Sequence, residues 1–157
     1  MGEAAMRILR IAEAAEQLGA TRFAVARMIY GFLFEFGDGY VTNNLLPGDI
    51  LSVPDRFYVV LDGDVIVAVG AINLRNGYIS RVCVRPSYRR RGLATMLNLF
   101  FFVLAYEYGL RRVWCYVDKR NTPIIRLLVR LGFKLENATP TRLMFVRVLK
   151  RRRRGDE

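Results

Sequence analysis

Residues 82–97 read VCVRPSYRRRGLATML, a β-rich run followed by a basic loop and the start of an apolar helix. The run ends at Val84, and the three arginines of the loop, Arg89–Arg91, are followed at once by Gly92. A loop at a helix start presents unpaired backbone N–H groups at the positive end of the helix dipole, which suits a phosphate. Arginines add charge and bidentate donors. The stretch therefore predicts a site for a phosphate-bearing ligand.

Composition predicts one globular α+β domain. The chain has 157 residues, of which 53% are hydrophobic, enough for a substantial core. We expect a single domain over residues 1–149 and a basic C-terminal tail over 150–157. The net charge of +11 favours acidic partners such as a nucleotide-bearing cofactor, nucleic acid or the ribosome. The tail is either a solvated end or a contact to such a polyanion.

Several classes of chemistry are excluded or disfavoured by the residue types present. The chain contains no histidine, which excludes Ser-His-Asp and Cys-His catalysis and disfavours a zinc site, so no metal is expected. Cys83 and Cys115 fall within predicted strands and read as small buried hydrophobes of a reducing compartment. The longest apolar run, Leu99–Tyr106, is far shorter than the ~20 residues of a membrane span, and no signal-peptide pattern opens the chain. These features predict a cytoplasmic protein without membrane contact.

Hydrophobic periodicity, together with residues that cap or end helices and strands, predicts the order of the secondary-structure elements. Helical spacing from Met6 to Phe36 is interrupted at residues 19–21, where Gly19 can end one helix and Thr21 can cap the next. A short strand at 7–11 is not decidable from periodicity. Loop signals follow at residues 37–39 and 46–49.

The remaining chain predicts strands and two helices. Strands are expected at 57–61, 65–72, 78–84, 113–117 and 142–149, and helices at 94–108 and from Thr122, a cap followed by Pro123, to Gly132. The first three strands are joined by short turns and are expected to be antiparallel. Strand 78–84, helix 94–108 and strand 113–117 form a βαβ unit, which requires parallel strands and a right-handed crossover.

The combined pattern resembles the GNAT superfamily of acyl-CoA-dependent N-acetyltransferases. Arg89, Gly92 and Ala94 match its Arg/Gln-x-x-Gly-x-Gly/Ala loop, and Asn121 and Gly132-Phe133 match its later signature. The resemblance is firm over 57–133 and loose over the N-terminal third. It implies an α/β (α+β) fold with a GNAT-like mixed central sheet: antiparallel first strands, then a parallel βαβ unit, flanked by helices.

The resemblance also implies acetyl-CoA as cosubstrate. Loop N–H groups would hold the pyrophosphate, and the strand before the loop would pair with the pantetheine arm. The predicted cofactor residues are Val82, Cys83, Val84, Arg89, Arg90, Arg91, Gly92, Leu93, Ala94, Thr95 and Asn121. Asn121 is either such a contact or a loop residue before a Thr122 cap.

Direct attack of a neutral amine on the thioester is the implied mechanism, with a strand N–H stabilising the oxyanion. The usual glutamate and tyrosine positions fall on Tyr116 and Leu128. Tyr116 is the first candidate for proton handling or amine positioning, its alternative being an aromatic packing residue. Tyr78, Asp118 and Glu35 are weaker candidates. Cys115 should face the other side of its strand, which disfavours a covalent cysteine route.

Two other functions and several partners are open at this point. Residues 14–27 resemble a DNA-binding helix-turn-helix, although the reading helix carries few polar side chains. Because Tyr116 and Leu128 stand where the family commonly has its glutamate base and tyrosine acid, a non-catalytic acyl-CoA sensor is an alternative. For an enzyme, the leading acceptor is a protein N-terminal α-amino group, because its low pKa leaves more neutral amine than lysine does. The basic tail favours a ribosomal protein as the source of this amine. By analogy alone, a homodimer would form through the final strand.

Overall fold

The structure is a computed structural model that describes residues 6–37, 45–52 and 55–150. The strands are β1 (Arg7–Arg10), β2 (Asp55–Asp62), β3 (Val65–Asn73), β4 (Ile79–Val84), β5 (Arg112–Asp118), β6 (Lys134–Ala138) and β7 (Arg142–Val148). The helices are α1 (Ile11–Leu18), α2 (Arg22–Phe36), α3 (Pro47–Ile50), α4 (Leu93–Glu107) and α5 (Thr122–Arg130), with a 3₁₀ turn at Pro86–Tyr88. Apart from β6 and α3, which sequence reasoning did not predict, each agrees with an expected element to within a few residues.

The first sheet has the order β1-β2-β3-β4, and every neighbouring pair is antiparallel. The undecided N-terminal strand is therefore real, with Ile8 opposite Val60. The turn between β2 and β3 contains Gly63 at φ 59°, as the hairpin signal predicted. Gly19 ends α1 in the left-handed region, and the Thr21 hydroxyl accepts a hydrogen bond from Ala24 N–H at the start of α2. Local capping chemistry thus separated these two helices as expected.

The second sheet has the order β5-β7-β6 and is also antiparallel. Because β7 lies between β5 and β6, both of its edges are paired. The pairing therefore leaves no unpaired edge of the final strand for the expected dimer contact, and a homodimer stays a prediction. The edge belongs to β6, whose residues are all exposed and lack an alternating apolar pattern, so periodicity gave no sign of this strand.

The two sheets meet where β4 and β5 begin. Tyr78 and Trp114 form one parallel bridge, with Trp114 N–H donating to the Gly77 carbonyl at 3.1 Å. The Trp114 indole N–H also donates to the Asn76 carbonyl at 3.0 Å. This bridge confirms the parallel relation of β4 and β5, and the mixed α+β architecture is confirmed, although within each of the two sheets the pairing is antiparallel. Among the described strands, pairing between these two is confined to this bridge, and a cleft opens beyond it.

Two apolar clusters cover the opposite faces of the sheets. On one face, α1, α2 and α3 pack on the first sheet around Ile29, Leu33 and Val59. On the other face, α4 and α5 pack around Leu97 and Phe101. Gly70 of β3 makes room there, since an added Cβ would lie 3.1 Å from the Phe101 ring. The sheet is thus covered on both sides, as the apolar composition required.

The predicted helix-turn-helix segment is part of this packing. Val25, Ala26, Ile29, Phe32 and Leu33 of α2 are all buried. Phe23 and Phe34 are 52% and 72% exposed, so aromatic rings occupy part of the outer face where a reading helix needs polar groups. The helices that suggested a DNA-binding function are therefore core elements of this fold.

The segment at residues 46–49 differs from its expected loop structure. Residues 46–49 were expected to be loop, but Pro47 begins the short helix α3, and the Asp49 carboxylate accepts from Leu46 N–H at 2.8 Å. Proline at a first helical position favours this start. The other loop signal, at 37–39, lies mostly outside the described residues.

No helix within the described ranges is long and apolar enough to cross a membrane.

Candidate active site

A cleft of about 610 Å³ lies where β4 and β5 diverge. Its walls come from β4, β5, the start of α4, α5 and the β6–β7 turn. The lining residues are Tyr78, Ile79, Ser80, Arg81, Val82, Ala94, Asn98, Cys115, Tyr116, Val117, Asp118, Asn121, Ile124, Leu127, Leu128, Thr141 and Arg142. A cleft between parallel strands beside a helix N-terminus can hold an extended ligand with a charged end.

A bulge in β4 shapes one wall of the cleft. Ala71 pairs with Ser80 and Val69 pairs with Cys83, so Arg81 and Val82 together face the single residue Gly70. Arg81 has a φ of 54°, in the left-handed region that side chains rarely adopt. A bulge leaves an extra residue out of the ladder and bends its strand. The bulge thus interrupts the β3–β4 register at Arg81 and Val82, and both of these residues line the cleft.

The basic loop ends at the N-terminus of α4, as the sequence indicated. Gly92 is the N-cap with φ 78°, and no side chain caps this end of the helix. An added Cβ at Gly92 would meet no atom within 4 Å, so the space beside this residue is open. The first-turn N–H groups of α4, which no side chain caps, and the helix dipole suit an anion.

Contacts from outside the loop hold its arginines. The Arg89 Nε donates to the Val84 carbonyl at 3.3 Å, and the Arg91 guanidinium lies 4.7 Å from the Tyr88 ring centroid. Tyr88 in turn donates its hydroxyl proton to the Asp62 carboxylate, and this hydrogen bond raises the pKa of the tyrosine. Sequence reasoning missed Tyr88, because its partner lies in the distant β2–β3 hairpin. The loop is thus fastened to the first sheet.

The predicted cofactor residues divide into those that face the cleft and those that do not. Val82, Ala94 and Asn121 line it. The Arg89, Arg90 and Arg91 side chains are exposed at the helix entrance, and Thr95 is half-buried in the first turn. Cys83 and Leu93 point into the two cores, and Val84 packs against one of them. These last three can offer only backbone groups to a ligand.

Asn121 is the cap of α5, which corrects the expectation that Thr122 holds this role. Its side-chain oxygen accepts a hydrogen bond from Ile124 N–H at 3.4 Å, and Thr122 and Pro123 are the first two helical residues. Asn121 is therefore not a plain loop residue before a Thr122 cap, and its side chain also borders the cleft. One residue can serve both purposes, because its amide N–H₂ is not used by the cap.

An aromatic wall, formed by Tyr78 and Tyr116 with Trp114 packed against them, borders the cleft beside the β4–β5 bridge. The Tyr78 and Trp114 ring centroids are 4.5 Å apart, and Tyr116 packs edge-on against both at 6.2 and 5.7 Å. The Arg142 guanidinium lies 4.5 Å from the Tyr116 ring centroid. The predicted cleft position of Tyr116 is therefore observed, whereas the role of Trp114 and Arg142 was not foreseen from sequence.

The other chemical candidates are placed less favourably. Asp118 borders the cleft, but Arg120 donates to both of its oxygens at 3.1 Å, and these hydrogen bonds lower the pKa of the carboxyl group. Cys115 is buried, and burial raises the pKa of its thiol to about 12. Leu128 supplies an apolar lining, and Glu35 is exposed on α2 outside the cleft lining. The described residues contain no group of three or more Cys, Asp or Glu able to hold a metal ion.

Comparison with known proteins gives a consistent result. The sequence profile described as the acetyltransferase (GNAT) family matches residues 27–133. GCN5-related N-acetyltransferase 6, chloroplastic, of Arabidopsis thaliana is 36% identical over 61 residues, which cover 39% of this chain. The match spans only about a fifth, 21%, of that relative's length.

Two solved structures share the fold over nearly the whole chain. Ard1 from Thermoplasma volcanium superposes with a TM-score of 0.72 at 18% identity, covering 94% of this chain and 100% of that one. The ribosomal-protein-S18-alanine N-acetyltransferase from Escherichia coli gives a TM-score of 0.70 at 16% identity, covering 96% and 98%. At such identities the likeness concerns the fold alone.

Proposed function

This chain belongs to the acetyltransferase (GNAT) family, and we propose that it transfers the acetyl group of acetyl-CoA to the α-amino group of a protein. The observation that carries the proposal is the cleft between β4 and β5, which is lined by Ala94 in the first turn of α4, just after the basic loop, and by Tyr78 and Tyr116. One end of this cleft suits a pyrophosphate, and the other end offers the surfaces that an amine acceptor requires.

The residues present fit the cofactor. The first-turn N–H groups of α4 with Arg89–Arg91 would hold the pyrophosphate, and the bulged strand beside Val82 would accompany the pantetheine arm. Gly92 leaves the space that the phosphates need, since nothing occupies the position of an added Cβ. When bound, acetyl-CoA supplies an acetyl group activated as a thioester.

At the reacting end, the chain contributes positioning more than acid–base chemistry. Tyr116 is the polar side chain best placed to orient the amine or take up its proton. The backbone near the Arg81 bulge offers N–H groups for a developing oxyanion. Holding two reactants in the correct geometry can lower the activation barrier by about 7–11 kcal/mol, which corresponds to effective molarities of about 10⁵–10⁸ M. A general acid or base raises the rate by only about 10²–10⁴-fold. The replacement of the glutamate by Tyr116 therefore does not by itself abolish catalysis.

An α-amino group suits such a site better than lysine does. Its pKa is about 7.7–8.0 against about 10.4 for lysine, so far more of it is neutral at pH 7. Among the described residues, the carboxylate on the cleft lining is Asp118, whose lowered pKa makes it a weak base. A site with little capacity to remove a proton favours an acceptor that is already partly deprotonated.

Cofactor binding is tested by isothermal titration of coenzyme A into the wild type and two matched glycine variants. Gly92→Glu places bulk and negative charge at the phosphate end of α4, and we expect coenzyme A affinity to fall more than about 10-fold. Gly109→Glu is the control, because Gly109 also has a positive φ, 83°, and nothing within 4 Å of an added Cβ. Equal losses in both variants would contradict the placement of the phosphates.

The second candidate function is a non-catalytic acyl-CoA sensor, which is favoured by the apolar Leu128 at the family's tyrosine position. A measurement of turnover distinguishes this sensor from an enzyme. Release of free thiol from acetyl-CoA is followed with and without peptides that carry free N-termini. An enzyme gives peptide-dependent release and an N-terminally acetylated product by mass spectrometry. A sensor binds acetyl-CoA with no product from any peptide.

A further inference from the structure

We propose that Asn98 holds the pantetheine arm of coenzyme A, because its carboxamide oxygen accepts a hydrogen bond from an amide N–H of the arm. This inference rests on the proposed function, and it assigns a further binding residue to the same cleft. The observation behind it is a buried polar side chain in α4, whose other buried residues are all apolar.

Asn98 is an exception to the local pattern of its helix. It is 4% exposed and, tyrosine and cysteine aside, it is the one polar or charged residue that is buried within the described ranges. Asparagine is a weaker helix former than leucine, and burial of an amide costs free energy unless new hydrogen bonds replace those to water. Such exceptions are expected at functional sites. The polar atoms of Asn98 therefore need partners, either in the chain or in a ligand.

The chain pairs only one half of the Asn98 carboxamide. The side-chain nitrogen donates to the Ala94 carbonyl, one helical turn earlier, at 2.9 Å. Because only the NH₂ group can donate to a carbonyl, this hydrogen bond also fixes which atom is the oxygen. Within the described part of the chain no group donates to that oxygen, and the oxygen is not sealed from solvent. Since Asn98 lines the cleft, a ligand there can supply the missing donor.

Asn98 lies on the face of α4 that packs towards the β4 bulge. Phe101, three residues later on the same helix face, marks this direction. An added Cβ at Gly70 would lie 3.1 Å from the Phe101 ring and 3.3 Å from the Val82 side chain. Ala94, the other α4 residue on the cleft lining, is about 6 Å nearer to the helix N-terminus. Asn98 therefore borders the cleft beyond its phosphate end, beside the strand that would accompany the arm.

The chemistry of the oxygen selects its partner. A carbonyl oxygen only accepts, and the phosphates of coenzyme A are themselves acceptors at neutral pH, so they cannot pair with it. The arm carries amide N–H groups, which are costly to bury without a partner. Apolar residues supply much of the surrounding lining, among them Val82, Val117 and Leu128. An amide N–H that enters this cleft therefore gains more from the Asn98 oxygen than it would in water-exposed surroundings.

The first test compares coenzyme A with 3′-phosphoadenosine 5′-diphosphate, which keeps the phosphates and lacks the arm. Isothermal titration measures both affinities in the wild type, Asn98→Leu and Asn98→Ala. We expect both variants to lose about 10-fold in coenzyme A affinity and less than about 2-fold for the armless nucleotide. Because Asn98→Ala adds no bulk, a loss in both variants is not steric. Leu99→Ala, at a residue that is 48% exposed on the outer face of α4, is the control and should keep both affinities.

Urea unfolding without ligand distinguishes a binding role of Asn98 from a structural one. Leucine forms helices better than asparagine and brings no polar group into the interior. The unfolding midpoint of Asn98→Leu should therefore equal or exceed that of the wild type, although coenzyme A binding is weaker. A lower midpoint, together with equal losses of affinity for the two nucleotides, would make Asn98 a structural residue and overturn the inference.

Coenzyme A analogues in which one amide of the arm is replaced by an ester locate the donor. Each ester removes an N–H and keeps the length of the arm. The wild type should bind one of these analogues about 10-fold less tightly than coenzyme A, whereas Asn98→Ala should bind that analogue and coenzyme A within about 2-fold of each other. Equal losses in the wild type and in Asn98→Ala for every analogue would show that other groups accept from the arm, and would overturn the inference.

The outcomes separate this inference from the proposed function. Coupling between Asn98 and the arm in a protein that acetylates no peptide supports the inference and contradicts the enzyme. Peptide acetylation with unchanged coenzyme A affinity in Asn98→Leu supports the enzyme and overturns the inference. A raised KM for the peptide alone in that variant would assign Asn98 to the acceptor, and also overturns it. Failure of the wild type to bind coenzyme A contradicts both.

Discussion

Tyr116 is the cleft residue at which this chain departs from the family's usual pattern. Where the family commonly has a glutamate on this strand, the chain has a phenol packed edge-on against Tyr78 and Trp114. Its alternation with buried Cys115 and Val117 could be predicted from strand periodicity. Its neighbours could not, because Tyr78 and Arg142 reach it from other strands. A phenol can donate or accept a hydrogen bond, and the same ring can also serve for packing.

Replacement of Tyr116 by phenylalanine separates these two roles. The ring and its packing remain, so we expect KM for acetyl-CoA to change little and kcat to fall about 10²-fold through loss of the hydroxyl. Steady-state kinetics with the best peptide measures both. Tyr30→Phe, on α2 against Phe34, is the control and should behave as wild type. An unchanged kcat in Tyr116→Phe would make Tyr116 a packing residue.

Cys115 gives a prediction for alkaline pH. Its thiol ordinarily ionises near 9.0, and burial raises its pKa to about 12 in the folded chain. Between these values the unfolded chain loses a proton that the folded chain keeps, so the free energy of unfolding falls as pH rises. Urea unfolding at pH 8 and pH 10.5 should therefore show a smaller fall in Cys115→Ala than in wild type. Equal falls would mean that the thiol ionises freely when folded.

At the scale of elements, the β4–β5 junction determines the site. The two strands run parallel, meet at one bridge and then separate, and the cleft occupies the space between them. The turn and capping residues between strand 78–84, helix 94–108 and strand 113–117 were enough to predict the parallel βαβ unit. It did not predict how far the strands pair, because that depends on the bulge at Arg81 and on the turn that seats β4 against β5.

Gly77 is the residue on which this junction depends. An added Cβ would lie 2.3 Å from the Arg112 carbonyl oxygen, and φ is 82°. We expect Gly77→Ala to lower the free energy of unfolding by more than about 2 kcal/mol and to weaken coenzyme A binding as the cleft shifts. Gly63→Ala, in the β2–β3 turn, has a similar φ of 59° but no atom within 4 Å, so it should cost only about 1 kcal/mol. Similar losses in urea unfolding would contradict a steric role for Gly77.

At the scale of the whole molecule, two apolar layers hold the sheets between the helices. The α4 helix is apolar on nearly every face, and Phe101 at its centre is fully buried against Gly70 and Tyr58. The prediction that α4 packs against a sheet is confirmed. Its outer face nevertheless leaves Leu99 and Val103 48% and 58% exposed, so hydrophobicity alone did not indicate which positions are inside.

Truncation of two phenylalanines measures this difference. Phe101→Ala should lower the free energy of unfolding by about 3–5 kcal/mol, because it leaves a cavity between α4 and the sheet. Phe34→Ala, at a ring that is 72% exposed, should change it by no more than about 0.5 kcal/mol. Urea unfolding followed by far-UV circular dichroism measures both. A small loss in Phe101→Ala would mean that the core around α4 collapses to fill the space.

The sequence by itself determined the proposed phosphate end of the site and the order of most elements. The strand, the basic loop, Gly92 and the helix start are contiguous, so short-range backbone chemistry is enough to predict them. Only the tertiary structure decided which residues form the proposed acceptor end. Tyr78, Tyr116 and Arg142 come from different strands, and pairing register, a bulge and a single bridge bring them together. Those contacts arise from long-range packing, which no local pattern in the chain encodes.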